Sequence, residues 1–319
     1  MKKNVLVWIP SFFDLGCGGL NVQFELCRVL KELGVNVKIY SPVKVKNSIF
    51  NDYYDYNDFD LNETVVIYGE TISGNPLNAP YVVRWVLAPL GICIGHDQFI
   101  TWGNNDLVYY FNSEEKFKNS PEKVGSIYKF LNFLYISKYI KNNNRCCRNG
   151  ICYTTRKGYS YHSIINKISN SFEVKRNHGI IECVNIFNTY EYFYSYDPLT
   201  FLTVIAAMCG CVSIVMKVEG LSKEEWLSTI APFEYLKETG EPLYGIAYGE
   251  EEIEFAKRTL HLVEKQFVNI NNYFKKKYIE SFINDINNFE NQLNKVENNY
   301  DYHLTLYNNV YKIYKNNKI

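Results

Sequence analysis

The stretch that decides the fold runs from Tyr190 to Val215, YEYFYSYDPLTFLTVIAAMCGCVSIV. An aromatic strand over Glu191 to Tyr194 meets a polar turn at Ser195 to Thr200. A helix of small residues from Pro198 to Met208 follows, then a glycine stop at Gly210 and a second apolar strand, Val212 to Met216. Strand, turn, helix and strand in that order place a helix N-terminus at the mouth of a parallel sheet. Free N–H groups and partial positive charge there suit a phosphate. Pro198 after Asp197 fits the first helical position after a cap. Simple capping would account for Asp197; the hydroxyls of Ser195 and Thr200 also suit a phosphate.

The same grammar extends outward. Asn4 to Ile9 is a short apolar run of the kind found in parallel strands covered on both faces. A loop with Asp14, Gly16, Gly18 and Gly19 follows. Val22, Leu26, Val29, Leu30 and Leu33 then form one helical stripe over Asn21 to Leu33, and Gly34 stops it before a strand at Val35 to Tyr40. Further strands are expected at Thr64 to Tyr68, Tyr81 to Leu87 and Leu107 to Phe111. Residues 51–63 read as a surface loop, Gly91 to Gly103 as a loop, and 112–148 as a bridge. A second α/β half opens with a strand at Gly150 to Thr154 and the turn Thr155-Arg156-Lys157-Gly158. Helices are expected at Gly179 to Asn188, Leu221 to Ile230 and Glu250 to Lys265, and one or two more from Asn271 onward. Domain boundaries are therefore expected at 1–148, 149–268 and 269–319, the last a helical extension packing back on the body.

Bulk properties narrow the classes. The chain has 319 residues, 47% of them hydrophobic and 21% charged, as expected of a packed protein. Lys plus Arg (34) balance Asp plus Glu (34), so nothing points to a nucleic-acid partner. The nine cysteines are odd in number and lack Cys-x-x-Cys spacing, which argues against a disulfide framework or zinc site. Cys146 and Cys147 stand out because Arg145 and Arg148 flank them. The apolar run Val5 to Ile9 is too short for a signal core, and no segment approaches the ~20 apolar residues of a membrane span. A cytoplasmic protein without membrane association is the expectation.

Residues with the means for chemistry fall at strand ends. Gly16-Cys17-Gly18-Gly19 would let backbone approach a ligand, but position 21 is Asn, so the dinucleotide fingerprint is absent. Arg156 and Lys157 beside a glycine can offset a diphosphate. Asp14, Glu70, His96 and Asp97 sit in first-half loops, each a candidate general base on an acceptor hydroxyl. The remaining histidines show no metal-ligand spacing.

Taken together these segments resemble the glycosyltransferases built from two Rossmann-like domains, the GT-B fold of the group-one family. The N-terminal stretch through Pro10, Gly18-Gly19-Leu20, Leu26, Leu30 and Gly34-Val35-Asn36-Val37 is similar to that family's opening strand, Gly-Gly loop and helix. Arg156-Lys157-Gly158 resembles its diphosphate-holding pair, and Ser195-Tyr196-Asp197 through Cys211 its donor motif. The resemblance implies an α/β fold of two domains facing across a cleft, with C-terminal helices. It implies donor binding by Gly18, Gly19, Arg156, Lys157, Ser195, Asp197 and Thr200, and transfer of a sugar from a nucleotide sugar to a glycan or other hydroxyl acceptor. No cofactor and no metal are expected. The family's second acidic position falls at Ile205, which cannot accept hydrogen bonds from a ribose. A non-catalytic scaffold or glycan-binding subunit, and a nucleotide-sugar epimerase of the same fold, are the alternatives.

Overall fold

A computed structural model describes residues 3–10, 18–42, 59–87, 101–103, 105–111, 129–132, 139–156, 158–165, 168–175 and 177–290. The chain divides into two units, one formed by residues 1–135 and 274–319, the other by residues 136–273. The first unit is thus discontinuous. The chain re-enters it at Phe274, close to residue 269, where the sequence reading starts a helical extension packing back on the body.

In the first unit the strands β1 (Asn4–Trp8), β2 (Val37–Tyr40), β3 (Thr64–Gly69), β4 (Tyr81–Val86), β5 (Leu107–Tyr110) and β6 (Lys129–Phe130) form one sheet. Its order is β2-β1-β3-β4-β5-β6, and every pair is parallel. Helix α1 (Gly18–Glu32) joins β1 to β2. All six residues of β3 are buried, which explains why it reads as unbroken apolar sequence rather than as an alternation. One rung crosses four strands. Trp8 lies opposite both Tyr40 and Tyr68, and Tyr68 lies opposite Arg84. The rings of Trp8 and Tyr40 stack at 4.3 Å, and the Arg84 guanidinium sits 4.9 Å from the Tyr68 centroid.

Arg84 is fully buried and meets Asp106 at 2.7 Å. Its remaining donors reach the carbonyls of Ile72 and Gly74. Burial pulls the guanidinium below its ordinary range and pushes the carboxyl up, so desolvation opposes both charges. The pair is kept by its hydrogen bonds, which tie the loop after β3 to the segment before β5.

The second unit holds β7 (Ile151–Thr154), β8 (Phe172–Glu173), β9 (Tyr192–Ser195), β10 (Val212–Val215) and β11 (Ile246–Tyr248). Their order is β11-β10-β9-β7-β8, again parallel throughout. Its helices are α2 (Ile180–Phe187), α3 (Leu202–Met208), α4 (Lys223–Ser228), α5 (Phe233–Thr239), α6 (Ile253–Thr259) and α7 (Val263–Phe274). A π-helical turn at Lys275–Ile279 leads into α8 (Glu280–Asn287). Helix α8 docks on the first unit's sheet through Asp285, which accepts from Tyr109 Oη at 2.6 Å and pairs with Lys129 at 2.7 Å. Two parallel, helix-connected sheets make an α/β architecture with Rossmann-like units. No described helix is long and apolar enough to cross a membrane.

Two expectations need correcting. The helix expected from Pro198 begins only at Leu202. Gly18 and Gly19 are not loop residues but the first residues of α1.

Candidate functional sites at two sheet ends

In each sheet the strand order reverses once in the sequence. The reversal lies between β1 and β3 in the first unit, and between β7 and β9 in the second. Ligands of such sheets lie beyond the strand C-termini at these switch points.

In the second unit the turn after β7 and the turn after β9 meet. Tyr196 N donates to Thr154 O at 3.0 Å. A Cβ placed on Gly158 would lie 2.8 Å from Tyr196 Cβ and 2.9 Å from its carbonyl oxygen. Only glycine fits there, so the Arg156 turn and the Asp197 turn are held in direct contact. Arg156 itself has a φ of +30°, a region that side-chain-bearing residues seldom adopt. Strain of this kind at a strand end motivates a functional hypothesis for the turn. Tyr161, two turns on, lies near Asp197; burial and then that carboxylate push its phenol up.

The Asp197 turn is largely self-satisfied. Ser195 Oγ donates to Asp197 O at 2.7 Å and is fully buried, so its hydroxyl already has a partner within the turn. Asp197 Oδ1 accepts from Leu199 N at 3.1 Å, an Asx turn rather than a helix cap. Thr200 Oγ1 instead accepts from Leu202 N, the first residue of α3, at 3.3 Å. Competition between an Asx turn and helix initiation explains the displaced helix start. Ile205, at 4% exposure, is a core residue of α3.

Trp226 holds the turn from behind. Its Nε1 donates to Pro198 O at 2.9 Å, and its indole stacks on Tyr248 at 4.9 Å and 13°. Helix α4 carries Trp226 and opens with a reciprocal capping box between Ser222 and Glu225. His162 lies edge-on to Tyr196 at 5.6 Å. Sequence reading gave neither Trp226 nor His162 a role. The only available signal was that His162 follows Gly158 by four residues, since the contact of Trp226 with Pro198 spans 28 positions.

In the first unit the end of β3 supplies Glu70, whose Oε2 accepts from Leu87 N at 3.0 Å just past β4. A Cβ on Gly19 would lie 3.9 Å from Leu87 Cδ1, so the start of α1 adjoins the same spot. Gly19 and Glu70, singled out separately in the sequence, thus share Leu87 as a neighbour. Gly18 begins the same helix. Asp14, His96, Asp97 and Lys157 lie outside the described residues.

Among the described residues no group of three or more His, Cys, Asp or Glu side chains is placed to hold a metal ion. Cys27, Cys152, Cys183, Cys209 and Cys211 are buried, while Cys146 and Cys147 are exposed. Burial pushes the Cys183 thiol up to about 11 and that of Cys209 up to about 12, which makes both poor nucleophiles.

No family model matches the chain, and no curated protein matches it. Solved structures that match the chain include the following two. A glycosyltransferase from Rickettsia africae overlaps 89% of this chain and 98% of its own, at 10% identity and a TM-score of 0.45. The phage T4 protein BGT, solved with its UDP-glucose substrate, overlaps 92% of this chain and 99% of its own, at 10% identity and a TM-score of 0.38. Likenesses this distant carry no argument about chemistry, which has to come from the residues at the two sheet ends.

Proposed function

We propose that the protein is a glycosyltransferase that moves a sugar from a nucleotide-sugar donor to a glycan or other hydroxyl acceptor without a required metal. The observation that carries this reading is the contact of Gly158 with Tyr196, which joins the Arg156 turn to the Asp197 turn at a switch point. Arg156, with Lys157 next to it in sequence, would offset the two negative phosphates as the sugar leaves. Thr200 and the backbone of the Asp197 turn would line the same site. Ser195 supports the turn rather than the ligand, because its hydroxyl is already bonded to Asp197 O.

Transfer requires the acceptor hydroxyl to attack the anomeric carbon while the bond to the diphosphate breaks. The hydroxyl proton goes to a base, and Glu70, Asp14, His96 and Asp97 are the proposed candidates. Glu70 is already oriented by Leu87 N.

The test is a thermal-shift screen over nucleoside diphosphates and sugar nucleotides. A ligand at a hundredfold its Kd stabilises by about 2.7 kcal/mol, which shifts Tm measurably. Arg156→Ala combined with Lys157→Ala should remove the shift. A second reading, a binding subunit without turnover, is favoured by Ile205, which is 4% exposed where the family resemblance calls for a carboxylate. Release of nucleoside diphosphate by the purified chain excludes it.

A further inference from the structure

We propose that Cys146 and Cys147 form a redox modification site, a surface dithiol that reacts with an anionic low-molecular-weight disulfide. The inference stands apart from the transferase reading. The pair lies on the segment that enters β7, not at the strand ends that carry Arg156 and Asp197.

Cys146 and Cys147 are exposed, whereas Cys27, Cys152, Cys183, Cys209 and Cys211 are buried. Burial pushes the thiols of Cys27, Cys183, Cys209 and Cys211 up, and Cys152 Sγ donates to Tyr192 O at 3.6 Å. Among the described cysteines, reaction with a solute is therefore left to the exposed pair. The segment is fixed on both sides of it. Arg145 donates to Thr189 Oγ1 at 3.0 Å. Arg148 donates to the carbonyls of Phe187 at 2.6 Å and Cys209 at 2.7 Å, and to the side-chain oxygens of Asn142 and Asn188. All of these acceptors are neutral, so neither guanidinium is offset by a carboxylate bonded to it. Two positive charges thus flank two accessible thiols, a field that draws in an anionic reagent.

In the reaction one thiolate of the pair attacks a sulfur of the small disulfide. The S–S bond of the reagent breaks and a mixed disulfide forms on the protein. The departing thiolate takes up the proton that the protein thiol released. The neighbouring thiol then attacks the mixed disulfide, expels the second small thiol and closes a Cys146–Cys147 bond. Overall two protein thiols are oxidised, and one small disulfide is reduced to two thiols. The peptide between the two residues is trans, which sets their Cα atoms about 3.8 Å apart. Ordinary disulfides need roughly 4.4–6.8 Å, so the closed ring is strained and easily reduced. Such a bond is a reversible modification rather than a structural staple.

The test incubates the native full chain with oxidised glutathione and follows intact mass and cysteine-peptide mapping over time. The peptide holding Cys146 and Cys147 should be modified ahead of every other cysteine peptide, carrying one glutathionyl group or the internal bond. Its rate should fall as salt is raised, and fall again in Arg145→Gln. Cys146→Ser and Cys147→Ser should each hold a longer-lived glutathionyl adduct, because no neighbour is left to expel it. The variant lacking both thiols should lose the fast phase. Earlier modification of another cysteine, or none in wild type, overturns the proposal. So does a rate indifferent to both salt and Arg145→Gln, or a fast phase that survives without the two thiols. Adducts in the single variants that last no longer than in wild type would show two independent thiols and overturn the dithiol.

Discussion

The two sheet ends solve the same positioning problem by different physics. In the first unit the loop after β3 is fastened by charge: Arg84, fully buried, bridges Asp106 and the carbonyls of Ile72 and Gly74. In the second, the turn after β9 is fastened by neutral groups, the indole of Trp226 on Pro198 O and on the Tyr248 ring. A buried charge pair fails badly when halved, because the survivor stays in low dielectric. An aromatic clamp fails by degrees, since packing survives the loss of one hydrogen bond. Each sheet end also keeps one buried polar atom unmet, Gln23 Oε1 in the first unit and His162 Nε2, beside Tyr196, in the second. Under the proposed function, the Asp197 turn, already bonded within itself, would present its backbone to a phosphate without rearranging.

Halving the charge pair should have the largest effect. Asp106→Ala leaves the Arg84 guanidinium buried without its counter-charge and should cost about 3–5 kcal/mol in urea unfolding. Replacing both, Arg84→Met with Asp106→Leu, should cost much less. Equal losses for the single and double variants would mean that the fastening is not electrostatic. Next is Gly158→Ala, whose added methyl meets Tyr196 backbone and Cβ at under 3.0 Å. Overpacking of this kind costs about 1–3 kcal/mol, and separating the two turns should also abolish the nucleotide-induced Tm shift. An intact shift would detach that contact from ligand binding. Trp226→Phe keeps a ring on Tyr248 and loses the bond to Pro198 O, which should cost about 1 kcal/mol. Asp197→Asn should change stability least, within about 0.5 kcal/mol, because the amide oxygen still accepts from Leu199 N. A cost above 2 kcal/mol would show that the negative charge, and not the Asx turn, matters there.

Much of the fold was legible locally because parallel strands are buried on both faces and read as apolar runs. Thr64 to Gly69 and Val212 to Val215 are of this kind. Strand β11 was not, since three residues bounded by Gly245 and Gly249, both at positive φ, look like a loop. The start of α3 was misplaced because Asp-Pro has the chemistry of a cap followed by a first helical residue, and only the bond to Leu199 N distinguishes the Asx turn. Gly18 and Gly19 read as loop because glycine is a poor helix former, yet α1 starts on them. Among the candidate residues, Arg156 and Asp197 were singled out from the order of elements, and the structure brings their turns into contact. The fastening of the sheet ends was not legible, because Trp226 with Pro198 and Arg84 with Asp106 are pairs 28 and 22 positions apart. No periodicity links such pairs.

The most direct test of the central claim is calorimetric titration of the full chain with nucleoside diphosphates, beside the same titration of Arg156→Ala. Saturable binding by at least one nucleotide is expected in the wild type. The variant should lose at least tenfold in affinity, and its Tm without ligand should stay within a few degrees of wild type. Absence of binding by every nucleotide in the wild type, or equal binding by the variant, would contradict it.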